Sequence, residues 1–115
     1  MNGGILYVVK SPGQNPTLHT IRVKPWGGHK IQAADAEDIR FFERLFYRTR
    51  INTPKGEAGV GRTIGTFYGF DKDALLATVA EELEDVVAQC ERRLIEARES
   101  RDNYAKWLEE QVDDA

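Results

Sequence analysis

Cysteine and histidine are scarce in this sequence, which has one Cys and two His among its 115 residues. A single cysteine excludes an internal disulfide framework and fits a reducing compartment. His19 and His29 have no Cys or His companions at metal-ligand spacing, so we predict no metal site and no cofactor. No serine lies in a nucleophile-elbow context, and the acidic pairs fall on a helical face rather than around a cleft. We therefore predict that the protein is not an enzyme.

Long apolar runs are also lacking. No stretch of the sequence approaches the roughly 18 apolar residues that a membrane helix needs. Residues 1–4 carry no basic side chain, and residues 5–9 are typical of a strand rather than of a signal peptide. The sequence therefore predicts a cytoplasmic protein with no membrane partner.

Charge is divided unevenly along the chain, although the net charge is only −3. Residues 1–71 carry ten Lys/Arg against six Asp/Glu, a net of +4, whereas residues 72–115 carry six against thirteen, a net of −7. The length allows one domain, 1–115, which we divide into a strand-rich basic body with one helix (1–71) and a long acidic helix (72–115). An anion would bind to the basic body, while the negative total disfavours nucleic acid as a partner.

Residues 1–71 alternate between strand, turn and helix patterns. Strands are predicted at 5–10, 17–24 and 29–32, with Ile21 and Val23 on one face of the second. A helix at 35–48, with Asp35 as N-cap, follows from apolar residues at helical spacing. A glycine-rich loop is predicted at 51–63, and a strand at 64–70 in which Ile64 shares a face with Thr66, Tyr68 and Phe70. The predicted fold class is α+β, a small antiparallel sheet with one short helix and a long C-terminal helix.

The final helix has clear signals. Asp71 is a good N-cap, Phe70 and Leu75 can form a hydrophobic staple, and no Gly or Pro follows. About 40 residues make a rod of roughly 60 Å, whereas a domain of this size has a diameter of about 35 Å. Either the helix bends near residues 100–103, or a second chain covers it. We favour association, through a near-heptad stripe whose predicted interface residues are Leu83, Val86, Cys90, Leu94, Tyr104, Trp107 and Leu108.

Arginines mark two candidate contact surfaces. Arg40, Arg44 and Arg48 are spaced by four, and such like charges are mutually destabilising unless something anionic faces them. That partner is either the acidic cluster at residues 81–85 or a phosphate-bearing ligand. The glycine-rich loop lies between Arg48, Arg50 and Lys55 on one side and Arg62 on the other. It is either a mobile connector or a lid that orders around an anion.

The strand-rich basic body, the loop with Arg and Gly and the long C-terminal helix resemble small phage-encoded counter-defence proteins. Among these the chain is similar in build to the anti-Thoeris sponge family, which binds cyclic nucleotide-type immune signals without cleaving them. This resemblance covers the overall build and no diagnostic motif. It implies a homo-oligomer in the host cytoplasm with nucleotide pockets near subunit contacts. The binding residues would then be Arg48, Arg50, Arg62 and Phe67 or Tyr68, with possible contacts from Arg40, Arg44 and Lys55.

Two functions follow from these observations. The first is a non-enzymatic, homo-oligomeric protein that sequesters a phosphorylated, nucleotide-type small molecule. The alternative is a protein–protein inhibitor of a bacterial defence complex, acting through the acidic helix or the arginine ridge.

Overall fold

A computed structural model describes residues 4–113 of the chain. Its strands are β1 (Gly4–Lys10), β2 (Thr17–Pro25), β3 (Lys30–Ala33), β4 (Ile51–Asn52), β5 (Val60–Thr63) and β6 (Thr66–Gly69). The helical elements are a 3-10 turn (Ala36–Asp38), α1 (Ile39–Phe46) and α2 (Lys72–Asp113). The chain separates into two compact units, residues 1–81 and residues 82–115.

The strands of the first unit form one antiparallel sheet in the order β4-β3-β2-β1-β6-β5. Strands β1 to β4 are neighbours in sequence and in space, and the β5–β6 hairpin joins the other edge of β1. The predicted alternation of the second strand is confirmed, because Ile21 and Val23 are buried and their neighbours Thr20, Arg22 and Lys24 are exposed. The α+β fold class is confirmed as well.

The sheet is strongly curled. The Tyr68 hydroxyl on β6 donates a hydrogen bond to the Asn52 carbonyl oxygen on β4, at 2.8 Å. These strands are four positions apart in the sheet, which in a flat sheet would separate them by about 19 Å. A tyrosine side chain cannot span that distance, so the sheet must bend to bring β4 and β6 together.

The inner side of the curl holds the main core, which we call the α1 core. Helix α1 presents Phe42, Leu45 and Phe46 to the sheet, and the rings of Phe46 and Tyr68 meet edge to face, 5.2 Å apart. Every strand except β5 contributes to the buried cluster, whose sheet residues are Leu6, Val8, Ile21, Val23, Ile31, Ala33, Ile51 and Tyr68.

The outer side of β1 and β6 is covered by the first turns of α2, in what we call the α2 core. Leu75 and Val79 pack there with Val9 and Phe67. These turns belong to the first unit, which therefore extends to residue 81 although α2 begins at Lys72.

The helix α2 begins as predicted, but its predicted staple is wrong. The Asp71 side chain accepts a hydrogen bond from the Ala74 backbone N–H at 3.0 Å, which confirms the N-cap. Phe70 packs on the α1 core, whereas Leu75 lies in the α2 core. The two residues are therefore on opposite sides of the sheet, because strand alternation places Phe70 on the same side as Tyr68.

Other predicted boundaries needed correction. The helix predicted at 35–48 is a 3-10 turn followed by α1, and Asp35 makes no side-chain capping bond. The loop predicted at 51–63 contains strands β4 and β5. The strand predicted at 64–70 is shorter, because Ile64 and Gly65 form the β5–β6 turn, and Ile64 is 99% exposed rather than packed with Tyr68.

In the second unit, α2 is helical without a break through residues 100–103. The alternative of a bend with a new cap there is therefore wrong, and Asp102 instead pairs with Arg101 at 3.2 Å. The described side chains of residues 83–112 are exposed in this chain. These include all the predicted interface residues: Leu83, Val86, Cys90, Leu94, Tyr104, Trp107 and Leu108. Association through them stays a prediction at this point.

Candidate functional site

The end of α1 forms one wall of the candidate site. Tyr47 follows the helix in the left-handed conformation, with φ of 55°, and its backbone N–H donates to the Glu43 carbonyl. This cap turns the chain away from the helix axis, so Arg48 leaves the ridge formed by Arg40 and Arg44. The Tyr47 ring is 81% exposed. The helix end therefore presents an aromatic face beside a guanidinium group.

The β5–β6 hairpin forms the other wall. Its two-residue turn places Gly65 at φ of 68°, a conformation that glycine adopts without strain. The Ser11 N–H donates to the Gly65 carbonyl at 2.9 Å, which ties the hairpin to the loop after β1. Arg62 and Thr63 lead into this turn on an anchored piece of backbone.

Between these walls lies a surface groove of about 290 Å³. It brings together Arg48 and Arg62, which are 14 positions apart in the sequence. Its lining residues are Phe46, Tyr47, Arg48, Arg62, Thr63 and Ile64. The lining residues include two arginines, a threonine and the exposed Tyr47, and they include no Asp or Glu. Such a donor set matches a phosphate oxygen array.

Lys10, at the end of β1, contacts the wall of the groove that the end of α1 forms. Its Nζ donates to the Arg44 carbonyl at 2.9 Å and lies 4.8 Å from the centre of the Tyr47 ring. The first contact satisfies a carbonyl in the last turn of α1, and the second is a cation–π interaction that favours one ring position. Lys10 was not among the predicted site residues, because nothing in the local sequence pattern indicates that β1 ends beside α1.

Two of the predicted ligand-binding residues, Phe67 and Tyr68, lie in the cores instead. Phe67 packs in the α2 core, with the Arg62 guanidinium 5.0 Å from its ring centre. Tyr68 is buried in the α1 core, and its hydroxyl is bonded to Asn52. Burial raises the pKa of the Tyr68 phenol above its ordinary value. Neither ring is available to stack on a ligand.

Arg50 and Lys55 are not in the groove. The Arg50 guanidinium lies 3.7 Å from the centre of the Trp26 ring, in a stacked cation–π pair. Lys55 is exposed in the loop that joins β4 to β5. A side chain on Gly59 would collide with the Lys55 backbone, so this loop folds tightly on itself.

The arginine ridge is reduced to Arg40 and Arg44, both exposed on α1 and outside the groove lining. Among the residues that the structure describes, Arg40, Arg44 and Arg48 form no ion pair. Like-charged neighbours without an internal partner favour an anion from outside.

The histidine and cysteine side chains in the described part of the chain lie apart from one another. His19 hydrogen-bonds the Thr17 hydroxyl at 3.0 Å and packs edge to face on Phe41. Cys90 is exposed on α2. Within residues 4–113 there is no cluster of three or more His, Cys, Asp or Glu side chains that could hold a metal ion. Nor does any helix in this range combine the length and apolar character that crossing a membrane requires.

Comparison of the chain with protein-family models, with curated proteins and with solved structures finds no match in any of the three.

Proposed function

We propose that the protein is a non-enzymatic binding protein that holds a phosphorylated small molecule in the groove between α1 and the β5–β6 hairpin. The observation that carries this proposal is the convergence of Arg48 and Arg62 beside the exposed ring of Tyr47. Two guanidinium groups can each donate paired hydrogen bonds to phosphate oxygens. The Thr63 hydroxyl adds a further polar group on the same lining.

Electrostatics support an anionic ligand. The groove lining has two positive and no negative side chains, and residues 1–71 have a net charge of +4. Lys10 adds a third positive charge, within 4.8 Å of the Tyr47 ring centre. An anion that approaches this end of α1 meets a net positive local charge, which raises its local concentration.

The size of the groove supports a nucleotide-type ligand of which only part is enclosed. A volume of about 290 Å³ is near the lower limit of typical small-molecule pockets, about 300 Å³. The phosphate would lie between the arginines, and a base could stack on Tyr47. Stacking of a base on an aromatic side chain contributes about 1–3 kcal/mol.

Sequestration of a nucleotide-type immune signal by a phage counter-defence protein, in the host cytoplasm, is the specific form of this proposal. It is supported by the resemblance in build to the anti-Thoeris sponge family. A sponge needs tight, reversible binding without turnover.

A thermal-shift panel tests the proposal, with inorganic phosphate, pyrophosphate, AMP, cyclic dinucleotides and ADP-ribose as probes. A ligand at 100 times its Kd stabilises the folded state by about 2.7 kcal/mol, which in a domain of this size raises Tm by roughly 10–20 °C. Arg48→Ala and Arg62→Ala should each abolish the shift. Arg40→Ala is the matched control, since Arg40 is an exposed arginine outside the groove.

A flat response of the unaltered protein to the whole panel would contradict the proposal. So would an equal loss of the shift in the Arg40→Ala control, because the ligand would then contact the α1 ridge instead of the groove. Titration against salt separates the proposal from nucleic-acid binding, in which affinity falls steeply with salt as counterions are released.

A further inference from the structure

One face of the second unit is apolar and exposed. Residues 18 apart on a helix point in the same direction, because 18 residues make about five turns. On α2, Leu83 therefore points in the same direction as Arg101, Cys90 in the same direction as Leu108, and Leu94 in the same direction as Val112. The complete face consists of Leu83, Val86, Val87, Cys90, Leu94, Ala97, Arg101, Tyr104, Ala105, Leu108 and Val112. The face recurs with a period of about 3.6 residues, so it stays on one side of a straight helix.

This face needs a partner. A helix gains most of its stability from packing an apolar face, and the described residues of the second unit leave that face exposed. The side chain of Leu94 is 51% exposed, and that of Val112 is 67% exposed. Covering such a face by a second copy would remove a continuous row of apolar side chains from water.

The charges beside the face differ on its two sides. One side is mainly acidic: Glu84 and Asp102 are 18 residues apart, as are Glu91 and Glu109, and Arg98 lies between Glu91 and Asp102. The other side is close to neutral and consists of Glu82, Gln89, Arg93, Ser100, Trp107 and Gln111. Charges that flank a helix–helix seam determine which orientation of the two helices is favoured.

We infer that two copies of this chain pair through this face as parallel helices in register. In a parallel pair the acidic side of one helix meets the neutral side of the other, and Glu91 lies about two residues, or roughly 3 Å along the axis, from the partner copy's Arg93. In an antiparallel pair of maximal overlap, acidic side meets acidic side. Glu84 would then lie level with the other copy's Glu109, and Glu91 with its Asp102, and both of these contacts are unfavourable.

Arg101 is the charged residue at the centre of the face. In a parallel pair it lies opposite its own copy, but its Nε and Nη2 both donate to Asp102 Oδ1 at 3.2 Å. The carboxylate offsets the guanidinium charge, and the long side chain can extend to the edge of the seam. This contact makes the parallel arrangement compatible with an arginine at this position.

The first test is the oligomeric state. Sedimentation equilibrium of the full chain should show a dimer. Leu94→Glu, on the face, should weaken that dimer at least about 100-fold. Ile95→Glu is a matched control, because Ile95 is 55% exposed against 51% for Leu94 but points away from the face. A monomeric unaltered protein, or equal effects of the two substitutions, would overturn the inference.

The second test is orientation, for which Cys90 is a natural reporter as the one cysteine in the chain. Mild oxidation should link two unaltered chains through Cys90, whereas Ala88→Cys in a Cys90→Ala background should not link, since residue 88 is on the opposite face. An antiparallel pair in the register given above would instead place Cys90 level with residue 103 of the other copy, within about 3 Å along the axis of Ala105 on the facing surface. A disulfide between the unaltered chain and a tagged Cys90→Ala/Ala105→Cys chain, without Cys90–Cys90 linkage, would overturn the parallel arrangement.

Discussion

The attachment of α2 to the sheet can be tested by a pair of adjacent, chemically identical substitutions. Leu75 is fully buried in the α2 core, whereas Leu76 beside it is 42% exposed. Both are in the first turns of the same helix, so Leu→Ala at either position changes helix propensity equally. Any difference in stability between the two variants therefore reflects how deeply each leucine is buried.

The expected losses in the free energy of unfolding differ clearly between the two variants. Leu75→Ala removes three buried carbon atoms, worth about 2.4 kcal/mol at 0.8 kcal/mol each, and the cavity left behind raises the total to roughly 3–4 kcal/mol. The Leu76 side chain is only about half buried, so Leu76→Ala loses about half of that burial free energy, and water can fill the space. We therefore expect Leu76→Ala to destabilise the protein by about 1 kcal/mol. For a unit of this size the difference of roughly 2–3 kcal/mol lowers Tm by about 10–20 °C.

Urea denaturation followed by tryptophan fluorescence measures the effect. Trp107→Phe leaves Trp26, in the sheet unit, as the remaining tryptophan, so the signal reports that unit alone. Equal destabilisation by the two substitutions would refute the reasoning, since it would mean that Leu75 is not packed against the sheet. A larger effect at Leu76 would indicate that the opposite side of the helix is the one covered.

Further substitutions probe single contacts. Asp71→Ala should destabilise the protein by about 1 kcal/mol, because it removes the N-cap of α2. Asp73→Ala removes a nearby charge but no capping bond, so it should destabilise the protein less. Thermal denaturation of the two variants compares these effects. Gly61→Ala should destabilise by about 1–3 kcal/mol because its Cβ would collide with the Tyr68 ring, while Gly13→Ala, with open space around it, should be near neutral in the same assay. Burial raises the pKa of Tyr68, so the unfolded chain loses that proton first as pH rises. The contribution of this phenol to the free energy of unfolding should be complete below about pH 10 and should decline above it. In urea titrations at several pH values, Tyr68→Phe should remove that part of the pH dependence.

The architecture could be predicted where periodicity was strong. The alternation around Ile21 and Val23 and the cap at Asp71 are local signals, and the structure confirms both. The strands β4 and β5 were missed because their glycine and proline content is typical of a loop. Strand β4 pairs with β3 over two residues only, a contact that depends on the curl of the sheet rather than on local preference.

The candidate site was predictable in part. The arginines near the glycine-rich loop were identified from charge, and the structure brings Arg48 and Arg62 to one groove but leaves Arg50 on Trp26. The choice of aromatic residue could not be made from sequence. Phe67 and Tyr68 have the strand pattern of core residues on both faces, whereas Tyr47 is exposed because the chain reverses there in a left-handed conformation that is uncommon for a tyrosine.

The strand β1 has a special position, since it pairs with β2 on one side and β6 on the other while its side chains alternate between the two cores. Loosening this strand would break both ladders and open both cores together. Its amide protons can therefore exchange with solvent only when the whole sheet unit unfolds, whereas those of β4, at the sheet edge, can exchange through local fraying. The slowest-exchanging amides of the chain should mark this central strand, and their rate reports the global stability of the sheet unit.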